Sequence, residues 1–170
     1  FRSLISGGIG PIFLYLGTLE LQRPHLTVMG ATGDAVLDGR MNPVETDVFD
    51  ISGDGCVVKQ VAIANSRRYG LRIRAKQVLV GDSTGPTMFY GNGLGDTTAA
   101  AVIVDDTPDA DVVIAGCWIG VKGNGTVVAP NENGIRVVHS TSVVIGGSHP
   151  GERNLISGNV RYGIAIDSRS

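Results

Sequence analysis

A right-handed parallel β-helix is the all-β fold class this sequence predicts: a β-solenoid of about five turns, each giving one strand to each of three parallel sheets. Three observations predict it. Glycine is abundant, at 25 of 170 residues, while Val, Ile and Thr dominate the apolar set and aromatics are only 5%; this is the composition of short strands punctuated by tight turns. No window long enough for a helix holds a 3.6-residue apolar period without a Gly or Pro breaking it. Short apolar runs, finally, recur in sets of three along the whole chain.

The first strands of successive turns are predicted at residues 12–16, 48–52, 70–74, 101–105, 134–138 and 163–167. Second strands follow at 26–30, 57–59, 77–81, 112–116 and 143–146, and third strands at 35–39, 61–65, 87–91, 117–121 and 154–158. Strict alternation places Phe13/Tyr15, Phe49/Ile51, Leu71/Ile73, Val102/Val104, Ile135/Val137 and Ile164/Ile166 inward on the first strands. A slip of one residue would bury Asp50, Arg72 and Arg136, so the hydrophobic pattern fixes the phase. Loops at 81–88, 90–98 and 122–133 absorb the irregular spacing. Asn65, Asn92 and Asn159 follow third strands, where stacked amides can hydrogen-bond along the solenoid as readily as serve in turns.

The heptapeptide beginning at Arg2 (Arg-Ser-Leu-Ile-Ser-Gly-Gly) matches the one beginning at Arg153 (Arg-Asn-Leu-Ile-Ser-Gly-Asn) at five of seven positions. This predicts that the chain returns near its end to the phase in which it began. Solenoid ends expose apolar faces and unpaired edges unless covered. The terminal rungs are therefore expected to dock on a neighbouring copy, stacking head to tail, or on further turns of a longer parent. The whole chain reads as one domain, 1–170, and its first residue, Phe1, suggests a processed form or a segment of something longer.

A net charge of −2, with no basic run longer than Arg67-Arg68, argues against nucleic acid as a partner. No apolar stretch is long enough for a membrane-spanning helix. Cys56 and Cys117 have no metal-ligand spacing and read as small buried apolar residues.

Ile119-Gly120, Gly125-Thr126, Pro130-Asn131, Asn133-Gly134-Ile135, Val144-Ile145-Gly146-Gly147 and the Arg153–Asn159 heptapeptide together resemble the repeat of bacterial right-handed β-helix proteins. Leu26-Thr27-Val28-Met29-Gly30 with Val36-Leu37-Asp38-Gly39 resembles an early turn of pectate-lyase-like β-helices. The resemblance implies a secreted or cell-surface protein on a scaffold that hosts lyases, hydrolases, adhesins and phage spikes, so it fixes architecture better than activity.

Polysaccharide-cleaving members of that group work on the outer face of one parallel sheet. The outward columns of the first strands here read Leu14, Asp50, Arg72, Ile103, Arg136, Ala165 and Leu16, Ser52, Arg74, Asp105, Val138, Asp167. Asp50, Arg72, Arg74 and Asp105 are the catalytic candidates, the arginines to hold a sugar carboxylate and the aspartates as base or metal ligand. The alternative is that Asp50 beside Arg72, and Arg74 beside Asp105, are ordinary cross-strand ion pairs. Arg136 and His139 are candidates for ligand contact. Asp105, Asp106 and Asp109, with Asp111, form an acidic loop that Ca²⁺ would suit, although the Gly-punctuated spacing of a Ca²⁺ loop is missing and no cofactor is required. His25, His139 and His149 are scattered. Related polygalacturonases carry Asn-Thr-Asp, Asp-Asp, Gly-His-Gly and Arg-Ile-Lys elements in that order. Here Arg72-Ile73-Arg74 precedes Asp105-Asp106, and the other two elements are absent. Trp118 and Tyr90 stand isolated, outside those columns.

The expectation is a non-catalytic, secreted or surface solenoid module with a structural, adhesive or glycan-contacting role and polysaccharide as its partner. A polysaccharide lyase or glycoside hydrolase is the alternative.

Overall fold

The computed structural model describes residues 2–5, 12–15, 17–30, 35–43 and 45–167. It is an all-β parallel solenoid of about five turns, with three six-stranded sheets and a single short 3₁₀ turn at Pro150–Glu152 among the described residues. The first sheet stacks Leu19–Leu21, Phe49–Ile51, Leu71–Ile73, Val102–Asp105, Ile135–Val138 and Ile164–Asp167. The second stacks Arg2–Ile5, Thr27–Gly30, Val57–Lys59, Leu79–Val80, Val112–Ile114 and Val143–Ile145. The third stacks Ile12–Phe13, Val36–Asp38, Ala62–Ala64, Thr87–Tyr90, Cys117–Ile119 and Leu155–Ile156. An antiparallel hairpin, Val121–Lys122 with Val127–Val128, projects from one turn.

Within the stack, strands bury alternate residues against the solenoid axis, because one turn alone has nothing to cover them; on the last turn Ile164 and Ile166, expected inward, are 44% and 72% exposed. From Val48 to Val137 the inward side chains close into one continuous core, with Phe49, Ile51, Leu71, Ile73, Val102, Val104 and Ile135 inaccessible or nearly so. The second sheet adds Val58, Val80 and Ile114, and the third adds Ile63, Phe89 and Ile119.

Two expectations are corrected at the N-terminal end. Ile12–Phe13 pairs with Val36–Asp38 and so belongs to the third sheet; the first strand of that turn is Leu19–Leu21, with Leu19 opposite Phe49 and Leu21 opposite Ile51. Phe13 and Tyr15 are accordingly 38% and 60% exposed instead of lining the core; Leu16 lies outside the described residues. The two matching heptapeptides do not share a phase. Leu4 and Ile5 pair with Met29 and Gly30 in the second sheet, whereas Leu155 and Ile156 pair with Trp118 and Ile119 in the third; Ser6, Gly7 and Gly8 lie outside the described residues. Their likeness is one of sequence alone, since the strand each contains joins a different sheet. The motif therefore gives no support to head-to-tail stacking.

Corners are where this chain departs most from generic strand rules. At the turn into the second sheet, His25, Gly55, Gln77, Asp111 and Ser142 occupy one stacked position, and all five have left-handed φ between 49° and 69°. Only Gly adopts that conformation without cost, and Asn and Asp tolerate it. His25, Gln77, Asp111 and Ser142 keep side chains there because they are exposed to solvent, whereas a Cβ at Gly55 would lie 2.4 Å from His25 Nδ1. Gly81 is the opposite case, with φ +78° and a Cβ position only 2.0 Å from the Ala115 carbonyl oxygen.

The third corner is held by a buried amide ladder. The Oδ1 of Asn92 accepts the Ser66 backbone N–H, Asn131 Oδ1 accepts that of Asn92, and Asn159 Oδ1 accepts that of Asn131, at 3.0 to 3.3 Å. Each Nδ2 donates to the carbonyl of an inward third-sheet residue below it: Asn92 to Ile63, Asn131 to Phe89 and Asn159 to Ile119. Asn92 and Asn131 also donate sideways to the next amide, each at 2.9 Å. Of the three asparagines expected to stack, Asn92 and Asn159 belong to the ladder and Asn131 joins them. Asn65 instead donates to the buried carboxylate of Asp38.

Cys56 and Cys117 are free and buried, and burial pushes the Cys117 thiol well above its ordinary pKa. Such a thiol stays protonated and unreactive. Among the described residues no helix is long and apolar enough to cross a membrane.

Candidate functional site

The outer face of the first sheet brings together the four residues nominated as catalytic. Strand register stacks Glu20, Asp50, Arg72, Ile103, Arg136 and Ala165 in one column. Asp105, Val138 and Asp167 stack in the next, and Arg74, directly after Ile73, extends it downward.

The backbone register sets Asp50 opposite Arg72, as the sequence implies, but the side chains pair differently. Arg74 forks onto Asp50, with Nη2–Oδ2 at 2.7 Å and Nε–Oδ1 at 3.3 Å. Arg72 instead reaches Asp105, with Nε and Nη2 at 3.0 and 2.5 Å from Oδ2. Arg136 donates to Asp167 and to the Thr98 carbonyl oxygen. The expected lateral pairs are thus replaced by diagonals, and every diagonal runs the same way. A first-column residue meets the second-column residue one rung further along: Asp50 with Arg74, Arg72 with Asp105, Arg136 with Asp167. The step between the last two is Ile103 with Val138, which pack together with Tyr69 and Ala100. From Asp50 onward the partners match at each step, acid with base or apolar with apolar.

This pattern has a direct chemical consequence. Asp50 is buried, and both its oxygens are engaged by one guanidinium; Asp105 directs one oxygen at Arg72 from two nitrogens. A carboxylate so held can meet a substrate only by giving up the guanidinium already bound to it. The pairs are partly exposed, with Arg74 side-chain accessibility at 48%, so each contributes at most about 1 kcal/mol.

A carboxyl that sequence reasoning passed over sits just before this sheet. Asp47 is buried and accepts the Tyr69 backbone N–H at 3.1 Å. Burial raises its pKa above the ordinary carboxylate value, against the opposing pull of that hydrogen bond and of Arg68 and Arg72. A raised pKa means that the folded state favours the protonated form, so this group's contribution to stability is lost as pH rises through the folded pKa. Asp47→Asn, which keeps an oxygen for Tyr69, is expected to be more stable than the parent at neutral pH. That advantage shrinks as pH falls below the folded pKa. Urea unfolding of both proteins across pH checks it; a constant difference would refute it.

The remaining candidates scatter. His139 is exposed at a left-handed corner (φ 47°), one rung beyond the equivalent Asp106, also at φ 47°. Both line an open depression of about 370 Å³ with Pro108, Ser140, Thr141, Ile166 and Asp167. Ser140 Oγ accepts the Thr107 N–H, and Thr141 Oγ1 accepts the Asp109 N–H, so these hydroxyls serve the corner itself. Asp109 and Asp111 are exposed on the same loop, and among the described residues no three His, Cys, Asp or Glu side chains are grouped to hold a metal ion. His25 is exposed, and His149 begins the 3₁₀ turn, its backbone N–H donating to Glu152. Trp118 faces outward on the third sheet between Met88 and Leu155, half-buried. Tyr90, also half-buried, has the Lys122 ammonium 5.7 Å from its ring centre.

Comparison with known proteins adds nothing to this geometry: no family model fits the chain, and no curated protein or solved structure is significantly similar to it.

Proposed function

We propose that this chain is a non-catalytic solenoid module, secreted or displayed at the cell surface, whose rigid stack serves a structural, adhesive or glycan-contacting role. The observation that carries the reading is the run of like-handed diagonals on the first sheet. Asp50, Asp105 and Asp167 are each committed to an arginine, and the arginines that would grip a sugar carboxylate are committed in return. A face whose charges are mutually satisfied suits a surface that holds its own register. Buried ladders and an uninterrupted core support rigidity in the same way.

The test is a depolymerisation screen on uronate-containing and neutral polysaccharides, with and without Ca²⁺, across acid to alkaline pH. No chain shortening is expected under any condition. Cleavage that disappears in folded Asp50→Ala or Arg72→Ala protein would instead establish the pectate-lyase-like enzyme reading and make the paired face its active site.

A further inference from the structure

We propose that Asn124 is an acceptor for an N-linked oligosaccharide, a modification that rests on the secreted or surface placement proposed above. Asn124-Gly125-Thr126 is the one Asn-X-Ser/Thr triplet in the sequence. This is the acceptor pattern for N-glycosylation and demands a surface position. The fold supplies one. The triplet lies between Val121–Lys122 and Val127–Val128, in the turn of the one antiparallel hairpin described.

The local geometry suits the chemistry. Asn124 and Thr126 are both exposed. Asn124 Oδ1 accepts from the Thr126 backbone N–H at 3.3 Å and from its hydroxyl at 2.5 Å. The amide is therefore oriented through its oxygen, while Nδ2, the atom that forms the glycosidic bond, has no protein partner among the described residues. Asn92, Asn131 and Asn133 differ on every count: they are buried and their Nδ2 atoms are engaged. The hairpin is also an insertion that leaves the stack in phase. Gly91 N–H donates to the Pro130 carbonyl, which brings Asn131 onto Asn92 as though residues 121–129 were absent. A bulky group at the tip therefore displaces nothing in the ladder or core. It would stand beside Val127, Val128 and Leu155, which are unusually exposed for their type.

In the modification, Nδ2 of Asn124 bonds to C1 of the sugar. The C1–O bond to a lipid-linked diphosphate breaks, the diphosphate leaves with the electron pair, and Nδ2 gives up a proton to a base of the transferase. No residue of this chain supplies chemistry beyond presenting the amide.

The experiment is secretion of the full chain, behind a cleavable leader, from a cell line with an active oligosaccharyltransferase, followed by intact mass and glycopeptide mapping. The expected result is a single glycan at Asn124, removed by peptide N-glycosidase with conversion to Asp. It should be lost in Asn124→Gln and Thr126→Ala and kept in Thr126→Ser. Secreted, protease-resistant chain with Asn124 unmodified would overturn the proposal, as would Asn124 converted to Asp or isoaspartate only, through spontaneous deamidation at Asn124-Gly125. Fractionation of the cells that naturally make the chain reads the placement separately. A cytosolic location there would defeat the surface reading, whereas a bare Asn124 in secreted protein defeats the acceptor site alone.

Discussion

Asn131→Ala is expected to destabilise the protein by about 3–5 kcal/mol, read as a fall in the urea midpoint, because it removes four side-chain hydrogen bonds at once and strands a buried N–H. Asn131 is inaccessible and makes contacts in three directions: Nδ2 to the Phe89 carbonyl, Nδ2 to Asn159 Oδ1, and Oδ1 to both the N–H and Nδ2 of Asn92. Removing it leaves the Asn92 N–H without a partner in a place water does not reach, at a cost of about 1–3 kcal/mol, and takes one of two donors from the Phe89 carbonyl, which keeps the Gly120 N–H. Asn159 terminates the ladder and is only half-buried, so Asn159→Ala should cost less than half as much. Equal effects at the two sites would mean that the amides act independently and that no ladder exists in solution.

Phe89→Ala should cost about 3–5 kcal/mol for a different reason, the loss of a large inward side chain with only partial collapse of the cavity. Phe89 is inaccessible, stacked between Ile63 and Ile119 on the third sheet. Phe13→Ala is the matched control. Phe13 is 38% exposed, with the Arg40 guanidinium 5.4 Å from its ring centre, and its truncation should cost about 1 kcal/mol or less. Comparable losses at both positions would show that residue 13 lines the core, as the sequence pattern suggests, and that the N-terminal register described here is wrong.

That contrast locates what could be read directly from the sequence. The first strands from residue 48 onward are plain because alternation there is strict and a slip would turn Asp50, Arg72 or Arg136 toward the solenoid axis. The segment around Ile12 defeats the same logic. Ile-Phe-Leu-Tyr is a better-looking strand than Leu19-Glu20-Leu21, and only pairing with Phe49–Ile51 shows which of the two occupies the first sheet. Alternation says that a strand is half-buried, not which sheet it joins.

The candidate face was legible in its membership but not in its bonding. Sequence order gives the columns, and hence Asp50 opposite Arg72. It does not say that Arg72 passes over that neighbour to Asp105, because the choice depends on side-chain reach across two rungs. Asn131 was hidden for a related reason. The hairpin insertion separates it by 39 positions from Asn92, while Asn92 follows Ser66 by 26, so no fixed period connects the ladder. Asp47 gave no signal, since a carboxyl before a strand reads as a turn residue until Tyr69 closes over it.

The central claim is that the charges of the first-sheet face are matched to one another, and a double-mutant cycle on Arg72 and Asp105 tests it most directly. Arg72→Met, Asp105→Asn and the double variant would be unfolded in urea at low and high salt. The account predicts a favourable coupling of about 0.5–1 kcal/mol that weakens as salt is added. Strict additivity, with each substitution costing the same whether or not its partner is present, would contradict it and leave those two residues free for another role.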